Sequence, residues 1–163
     1  MNLNDGSDLA VEQEAIVDAV LNASRVLVAI AARSLADAGE EVTLTQYRSL
    51  VVLASRGPQS MAALADAVAV TPATASRMCD RLVKKGLVRR RGARNDRRQV
   101  RLGLTESGRH IVDAVTARRR QEIAELLATI PSETQRSVVT ALTRLAESAG
   151  EVPEQNWSTG WDL

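Results

Sequence analysis

Residues 71–105 read TPATASRMCDRLVKKGLVRRRGARNDRRQVRLGLT, and this stretch decides the fold. Thr71 followed by Pro72 predicts the start of a helix, because Thr caps free N–H groups and Pro suits the first helical position. The sequence Lys-Lys-Gly at 84–86 predicts its end, since cations stabilise the last turn and glycine readily adopts the left-handed conformation that follows it. The stretch therefore opens with a capped helix of about three and a half turns.

A β-hairpin rich in arginine is predicted after this helix. Apolar and polar residues alternate along 99–104, as in a half-buried strand, and 87–91 is predicted as its partner strand. A polar loop is predicted between them at 92–98. Thr105 then predicts the cap of another helix.

Positive charge is concentrated in the same region. Residues 77–101 hold eleven of the 21 Lys and Arg but only two of the 20 Asp and Glu, so they carry +9 and the other 138 residues carry −8. A helix beside a basic hairpin suits duplex DNA, because the helix fits the major groove and the hairpin reaches phosphates or the minor groove. A solvated charged loop is the alternative explanation of the charge alone.

The helix that begins at Thr71 has two different sides. The side predicted to be packed carries Ala75, Met78, Cys79, Leu82 and Val83, and the polar side carries Ala73, Thr74, Ser76, Arg77, Asp80, Arg81 and Lys84. Ser60 predicts the cap of a short helix just before it. Two helices joined by a tight turn, the second with an exposed polar side, indicate a helix-turn-helix.

Long amphipathic helices are predicted on both sides of this unit, at 9–38, 105–130 and 132–148. The first is long for a globular helix, and its apolar surface indicates a partner subunit. Two capping boxes are also predicted, from the spacing of Thr43 with Gln46 and of Ser132 with Gln135. The predicted fold class is mainly α with a small β-hairpin wing.

The 163 residues suit one domain, predicted at 9–149 between a flexible N-terminus at 1–8 and a C-terminal tail at 150–163. The tail is expected to be mobile apart from Trp157 and Trp161. Aromatic residues make up only 2%, which disfavours single-stranded nucleic acid, because its binding depends on stacking.

The sequence also bears on the compartment. Cys79 is the single cysteine, which rules out an intramolecular disulfide and favours a reducing compartment. The acidic N-terminus lacks the apolar run of a signal peptide. No stretch approaches about 18 uninterrupted apolar residues, the length of a membrane span. We therefore expect a cytoplasmic protein without membrane contact.

Three segments together resemble the MarR family of winged-helix regulators. They are LTQYRSLVVLASRGP at 44–58, LADAVAVTPATASRMCDRLVKKGLVRR at 64–90 and NDRRQVRLGLTESG at 95–108, and the resemblance covers about 12–148. It implies a DNA-binding lobe at 43–104 and a homodimer joined by the helices at 9–38 and 105–148. It further implies a pseudo-palindromic double-stranded DNA operator, with one recognition helix for each half-site.

The DNA-binding residues are predicted on the polar helix side and on the hairpin: Ala73, Thr74, Ser76, Arg77, Arg81, Arg94, Asp96, Arg97 and Arg98. The family pattern Asp-x-Arg maps onto Asp96 and Arg98, which implies an arginine in the minor groove oriented by a carboxylate. Asp80 is expected to pair with an arginine rather than approach a phosphate.

The family resemblance implies a repressor that a small-molecule effector releases. Effectors of the family lie between the dimerisation helices and the DNA-binding lobe, where Tyr47 and Arg48 are candidates but equally suit packing and surface roles, so effector-binding residues stay unknown. Cys79 is interpreted as a structural thiol. His110 is the only histidine and has no nucleophile motif nearby, so no catalytic residue, metal site or cofactor is predicted.

Two other functions remain open from the residues. One is an architectural DNA binder without ligand control. The other is an interaction module whose basic hairpin docks an acidic protein partner. Steep salt dependence together with a strong preference for one operator would distinguish a regulator from both.

Overall fold

The computed structural model describes residues 5–38, 41–93 and 96–157, with side chains at 11–38, 41–92 and 100–157. The elements in chain order are α1 (Asp5–Ala36), α2 (Leu44–Arg56), β1 (Gln59–Ser60), α3 (Met61–Ala67), α4 (Pro72–Lys84), β2 (Val88–Ala93), β3 (Asp96–Leu104), α5 (Glu106–Leu127) and α6 (Ser132–Ser148). A single 3-10 turn follows at Glu154–Asn156. A winged helix-turn-helix flanked by long helices is present, and the predicted fold class is confirmed.

The wing belongs to a three-stranded antiparallel sheet in the order β1-β3-β2. Val88 on β2 pairs with Leu104 on β3, and Gln59 on β1 pairs with Leu102 on the other edge of β3. The strand β1 was not predicted, because two residues are too few to show an alternating pattern. It joins the start of α3 to the base of the wing.

Four predicted caps are present. Thr43, Ser60, Thr71 and Thr105 each accept a hydrogen bond at the side-chain oxygen from the backbone N–H three residues later. Thr43 N also donates to Gln46 Oε1 at 3.0 Å, which completes the predicted capping box. These local bonds fix where α2, α3, α4 and α5 begin.

The second predicted capping box is wrong. Ser132 is already the first residue of α6, and the preceding Pro131 provides no side-chain cap. Gln135 Nε2 instead donates to Leu127 O at 3.0 Å and to Ile130 O at 2.8 Å. The last carbonyls of a helix lack intrahelical partners, so Gln135 satisfies the end of α5 rather than the start of α6.

The first helix has different bounds from those predicted. It begins at Asp5, inside the segment predicted to be flexible, and ends at Ala36 rather than at 38. Gly6 and Ser7, which are weak helix formers, make this early start hard to predict from the sequence. The fifth helix ends at Leu127 rather than at 130.

The hydrophobic core lies between α2, α4, the sheet and the first half of α5. Its fully buried side chains include Leu50, Leu53, Leu64, Leu82, Leu102 and Val112. Gly108 in the first turn of α5 is pressed against Leu87, so a Cβ there would lie 2.2 Å from Leu87 O. The Leu-Thr-x-x-Gly sequence at 104–108 thus brings α5 directly onto the backbone before the wing.

The helices outside the core expose apolar side chains. Ile16, Val17, Val20, Leu21 and Val28 on α1, Leu126 on α5, and Val139, Leu142 and Leu145 on α6 are each at least 42% exposed. None of the residues of α6 is buried within the part of the chain described. Within the described residues of the single chain, nothing covers these faces.

The segment Val11–Ala36 is also long and apolar enough to cross a membrane, by length and composition only. Asp18 and Arg25 interrupt the apolar run, so the segment does not contain 18 consecutive apolar residues. Its many Ala, Val and Leu nevertheless keep its average hydropathy high. The lack of an uninterrupted apolar run therefore does not by itself exclude a membrane-spanning helix.

The chain after α6 was predicted to be mobile apart from Trp157 and Trp161, but Glu151 and Glu154 also contact the body of the protein. We call residues 151–157 the C-terminal strap. Gly150 has a φ of +69°, the left-handed conformation that lets glycine end α6 and reverse the chain. Trp157 packs half-buried against the core. Trp161 lies outside the described residues.

Candidate nucleic-acid interface

The polar side of α4 forms one continuous surface with the sheet beside it. Ala75, Met78, Cys79 and Leu82 are buried and fix the rotation of the helix about its axis. The five α4 residues predicted to contact DNA are all on the opposite side, with Ala73, Arg77 and Arg81 exposed and Thr74 and Ser76 partly exposed. The helix therefore presents the predicted residues together, and this shape fits a major groove.

A groove of about 410 Å³ runs between the start of α2 and this side of α4. Thr43 and Thr45 line it from α2, and Arg77 and Arg81 line it from α4. The two α2 hydroxyls were not among the predicted site residues. A charge pattern could not reveal them, because they are neutral and lie about thirty residues from the arginines in the chain.

Asp80 is paired with an arginine, as predicted. Arg90 Nη2 on β2 donates to Asp80 Oδ1 at 2.6 Å, and both side chains are about half exposed. The bond joins α4 to the wing and neutralises the one carboxylate on the polar side of the helix. It also uses one of the three consecutive arginines at 89–91, whose directions alternate along the strand.

The wing strands are longer than predicted. β2 reaches Ala93 and β3 begins at Asp96, with an irregular register between Gly92 and Ala93. Arg94 lies outside the described residues, and so do the side chains of the predicted Asp96, Arg97 and Arg98.

Residues 42–100 match the sequence model of the MarR family. RV1404 from Mycobacterium tuberculosis has a crystal structure that is 41% identical, with a TM-score of 0.80, over 86% of this chain and 95% of that one. The chain belongs to the MarR family. It is accordingly a transcriptional regulator that binds DNA.

Two further proteins are similar to most of the chain. The transcriptional repressor MdtR of Bacillus subtilis is 29% identical over 119 residues, 73% of this chain and 77% of that protein. The structure of NadR in complex with 4-hydroxyphenylacetate has a TM-score of 0.62 at 24% identity, over 80% of this chain and 92% of that one. The second likeness shows the shared MarR fold.

A second cleft, of about 590 Å³, lies between α2 and α5 and is covered by the C-terminal strap. Tyr47 and Arg48 both line it. Tyr47 is buried, with its Oη 3.4 Å from Thr116 Oγ1. Arg48 Nη1 and Nη2 donate to Glu151 Oε1 and Oε2 at 2.9 and 2.6 Å. The hydrogen bond from Arg48 lowers the pKa of the Glu151 carboxyl and raises the pKa of the Arg48 guanidinium.

Cys79 lies behind the recognition surface rather than on it. Its side chain is fully buried between α4 and the core, and burial raises the pKa of its thiol. A raised pKa keeps the sulfur protonated and unreactive at neutral pH. The geometry agrees with a structural thiol.

Proposed function

We propose that this MarR protein is a cytoplasmic homodimeric repressor whose two α4 helices bind the half-sites of a pseudo-palindromic operator and which a small-molecule effector releases. The observation that carries the proposal is the exposed polar side of α4, with Arg77 and Arg81 beside the basic wing. MdtR, a similar protein, is a repressor, and NadR binds 4-hydroxyphenylacetate.

The uncovered apolar faces support the dimer. Arg33 pairs with Glu122 at 2.7 Å and Asp37 pairs with Arg118 at 2.6 Å, so α1 and α5 are joined on their polar sides. Other apolar side chains stay exposed, among them Ile16 on α1, Leu126 on α5 and Leu142 on α6. A second copy would cover a patch that soluble monomers seldom leave exposed, and it would cover the membrane-length segment of α1 with protein rather than lipid.

The wing supplies the second DNA contact in this proposal. Arg98 enters the minor groove and Asp96 orients it, whereas Arg94 and Arg97 contact phosphates. Arg77 in the first half of α4 reads a guanine through two parallel hydrogen bonds. Each protomer thus contacts its half-site with one helix that reads the sequence and one wing that tolerates different sequences.

The test begins with selection of binding sites from a random duplex pool, followed by affinity measurements at several salt concentrations. We expect a two-fold symmetric site, about 1000-fold preferred over random duplex. A steep salt dependence without such preference would indicate an architectural DNA binder. Absence of duplex binding would indicate a module for an acidic protein partner.

Single variants distinguish the arginines that read the DNA sequence from those that contact phosphates. Arg98→Ala should weaken operator binding by about 1–3 kcal/mol, and Arg77→Ala should relax the preference for guanine. Arg94→Ala or Arg97→Ala should weaken all duplexes alike and reduce the salt slope by about 0.9 for each lost phosphate contact. Arg144→Ala, on the exposed polar side of α6, is the matched control.

A further inference from the structure

The C-terminal strap is held against the body by charged groups at several points. Besides the two hydrogen bonds between Arg48 and Glu151, Arg120 Nη2 on α5 donates to Glu154 Oε2 at 2.5 Å. Just before the strap begins, Arg56 Nη2 on α2 donates to the backbone O of Gly150 at 3.3 Å. Two carboxylates of the strap therefore face guanidinium groups from both α2 and α5.

The cleft under the strap combines cations with an apolar wall. Arg48, Arg119 and Arg120 line it together with Val51 and Ile123. The Nε atom of Arg119 is buried, and among the described residues it has no hydrogen-bond partner. A buried donor without an acceptor is unusual in a folded protein. The cleft thus has space for one further hydrogen-bond acceptor, in addition to the carboxylates that the strap provides.

We propose that the C-terminal strap is an internal occupant of the cleft between α2 and α5, and that a small carboxylate with an apolar body competes with it for Arg48 and Arg119. The inference rests on the proposed release by a small molecule and adds the strap as the competitor of that molecule. The carboxylate takes the place of Glu151 on Arg48 and supplies the acceptor that Arg119 Nε lacks. The apolar body occupies the space lined by Val51 and Ile123.

The ion pairs of the strap are suited to exchange. The side chains of Arg48 and Glu151 are 40% and 36% exposed, so water reaches the bond and a dissolved anion can replace it. The cation keeps a carboxylate partner before and after exchange, which avoids leaving a half-buried charge unpaired.

The same helix connects this cleft to the recognition surface. Leu44 and Arg48 of α2 line the cleft under the strap, whereas Thr45 and Gln46 of α2 line the groove beside Arg77. A shift of α2 on exchange would therefore change the groove that faces DNA. Binding of the strap and binding of the carboxylate would therefore both act on the position of α2.

The experiment follows Trp157 directly and needs no DNA. In the full chain with Trp161→Phe, Trp157 is the only tryptophan. Its emission and its quenching by iodide are measured as 4-hydroxyphenylacetate is added, with the neutral 4-hydroxyphenylacetamide as the matched probe, and calorimetry measures binding. We expect the carboxylate, and not the amide, to shift the emission to the red and to increase quenching.

Variants separate competition from simple binding. Glu151→Gln with Glu154→Gln should release the strap without a probe and raise the affinity for 4-hydroxyphenylacetate about tenfold, if the strap is closed about nine-tenths of the time. Arg48→Gln should remove probe binding. Glu147→Gln, the same charge change on an exposed side chain of α6, should behave as the unaltered chain.

Three results would overturn the proposal. They are probe binding that leaves Trp157 unchanged, equal probe affinity in the double Gln variant and the unaltered chain, and no probe binding to either. Operator binding is measured separately. A chain that binds its operator but is not released by the probe, while the strap still responds, would contradict the proposed release and leave the strap competition standing.

Discussion

Asp80 on α4 and Arg90 on the wing strand β2 are bonded at 2.6 Å, and this pair joins the helix and the wing that we propose to contact DNA. A carboxylate on that surface would repel phosphates if it were unpaired. Paired, it sets the direction of one arginine and holds the wing against α4. The pair is half exposed, so its contribution to stability is small, and its main effect is on the orientation of Arg90.

Asp80→Asn should therefore change selectivity more than folding. Release of Arg90 adds a mobile cation, so the affinity for random duplex should rise and the salt slope should steepen by about 0.9 per protomer. The ratio of operator to random affinity should fall. Salt titrations on both duplexes measure this, with Asp113→Asn on α5 as the control for the same charge change. An unchanged ratio would mean that Arg90 needs no orienting partner.

Gly108→Ala should destabilise the fold. The new methyl would lie 2.2 Å from Leu87 O and 2.9 Å from Leu104 Cδ1, and the backbone carbonyl cannot rotate away. Overpacking of this kind costs about 1–3 kcal/mol or more. Urea unfolding gives the change in free energy, and Ser107→Ala, on an exposed position of the same turn, is the control. Equal stability of the two variants would show that α5 can move freely away from Leu87.

The parts of the fold that local patterns encode were predictable from the sequence. Thr43, Ser60 and Thr71 cap helices through bonds to residues three positions on, so their spacing is visible in the chain. The bond between Arg48 and Glu151 spans 103 positions and leaves no such trace. The tail after α6 was therefore predicted to be mobile because it is polar, although its carboxylates have partners on α2 and α5.

The candidate site was predictable to a similar extent. The periodicity of α4 separated its buried side from its polar side, and the prediction that Asp80 pairs with an arginine is confirmed. The sequence did not show that Arg90 is the partner of Asp80 or that Thr45 of α2 lines the groove, because both depend on packing between elements. The contacts proposed for Arg77 and Arg98 with DNA remain predictions.

Cys79→Ser should leave the response to oxidants unchanged. The thiol is fully buried, and burial raises its pKa, so little thiolate forms to react with peroxide. The hydroxyl should reduce stability modestly, because it lies in an apolar environment. Operator binding with and without peroxide, in both chains, is the measurement. Loss of operator binding on oxidation that disappears in the variant would identify a redox sensor.

Leu142→Asp should split the proposed dimer. Leu142 is 47% exposed in the single chain, and surface changes of this kind usually alter stability by less than about 0.5 kcal/mol. In an apolar interface, the same carboxylate would be buried without a partner. Sedimentation should give the 17.6 kDa chain mass for Leu142→Asp and twice that mass for Thr140→Asp, on the opposite side of α6. A monomeric unaltered chain would contradict the dimer.

Acid should release the C-terminal strap before it unfolds the protein. The hydrogen bond from Arg48 lowers the pKa of Glu151 below its usual 4.5, and the charge of Arg56 acts in the same direction. A lowered folded-state pKa means that the ion pair stabilises the closed strap fully above 4.5, and that this contribution is lost as the pH falls through the lowered value.

Trp157 emission in the Trp161→Phe chain, measured from neutral to acidic pH, should shift to the red in that window while circular dichroism still shows the helices. Glu151→Gln should remove this transition, and its strap should already be partly released at neutral pH. Arg48 keeps its charge throughout, because the hydrogen bond to Glu151 raises its pKa further. An identical acid transition in Glu151→Gln, or one that coincides with loss of the helices, would show that Glu151 does not hold the strap.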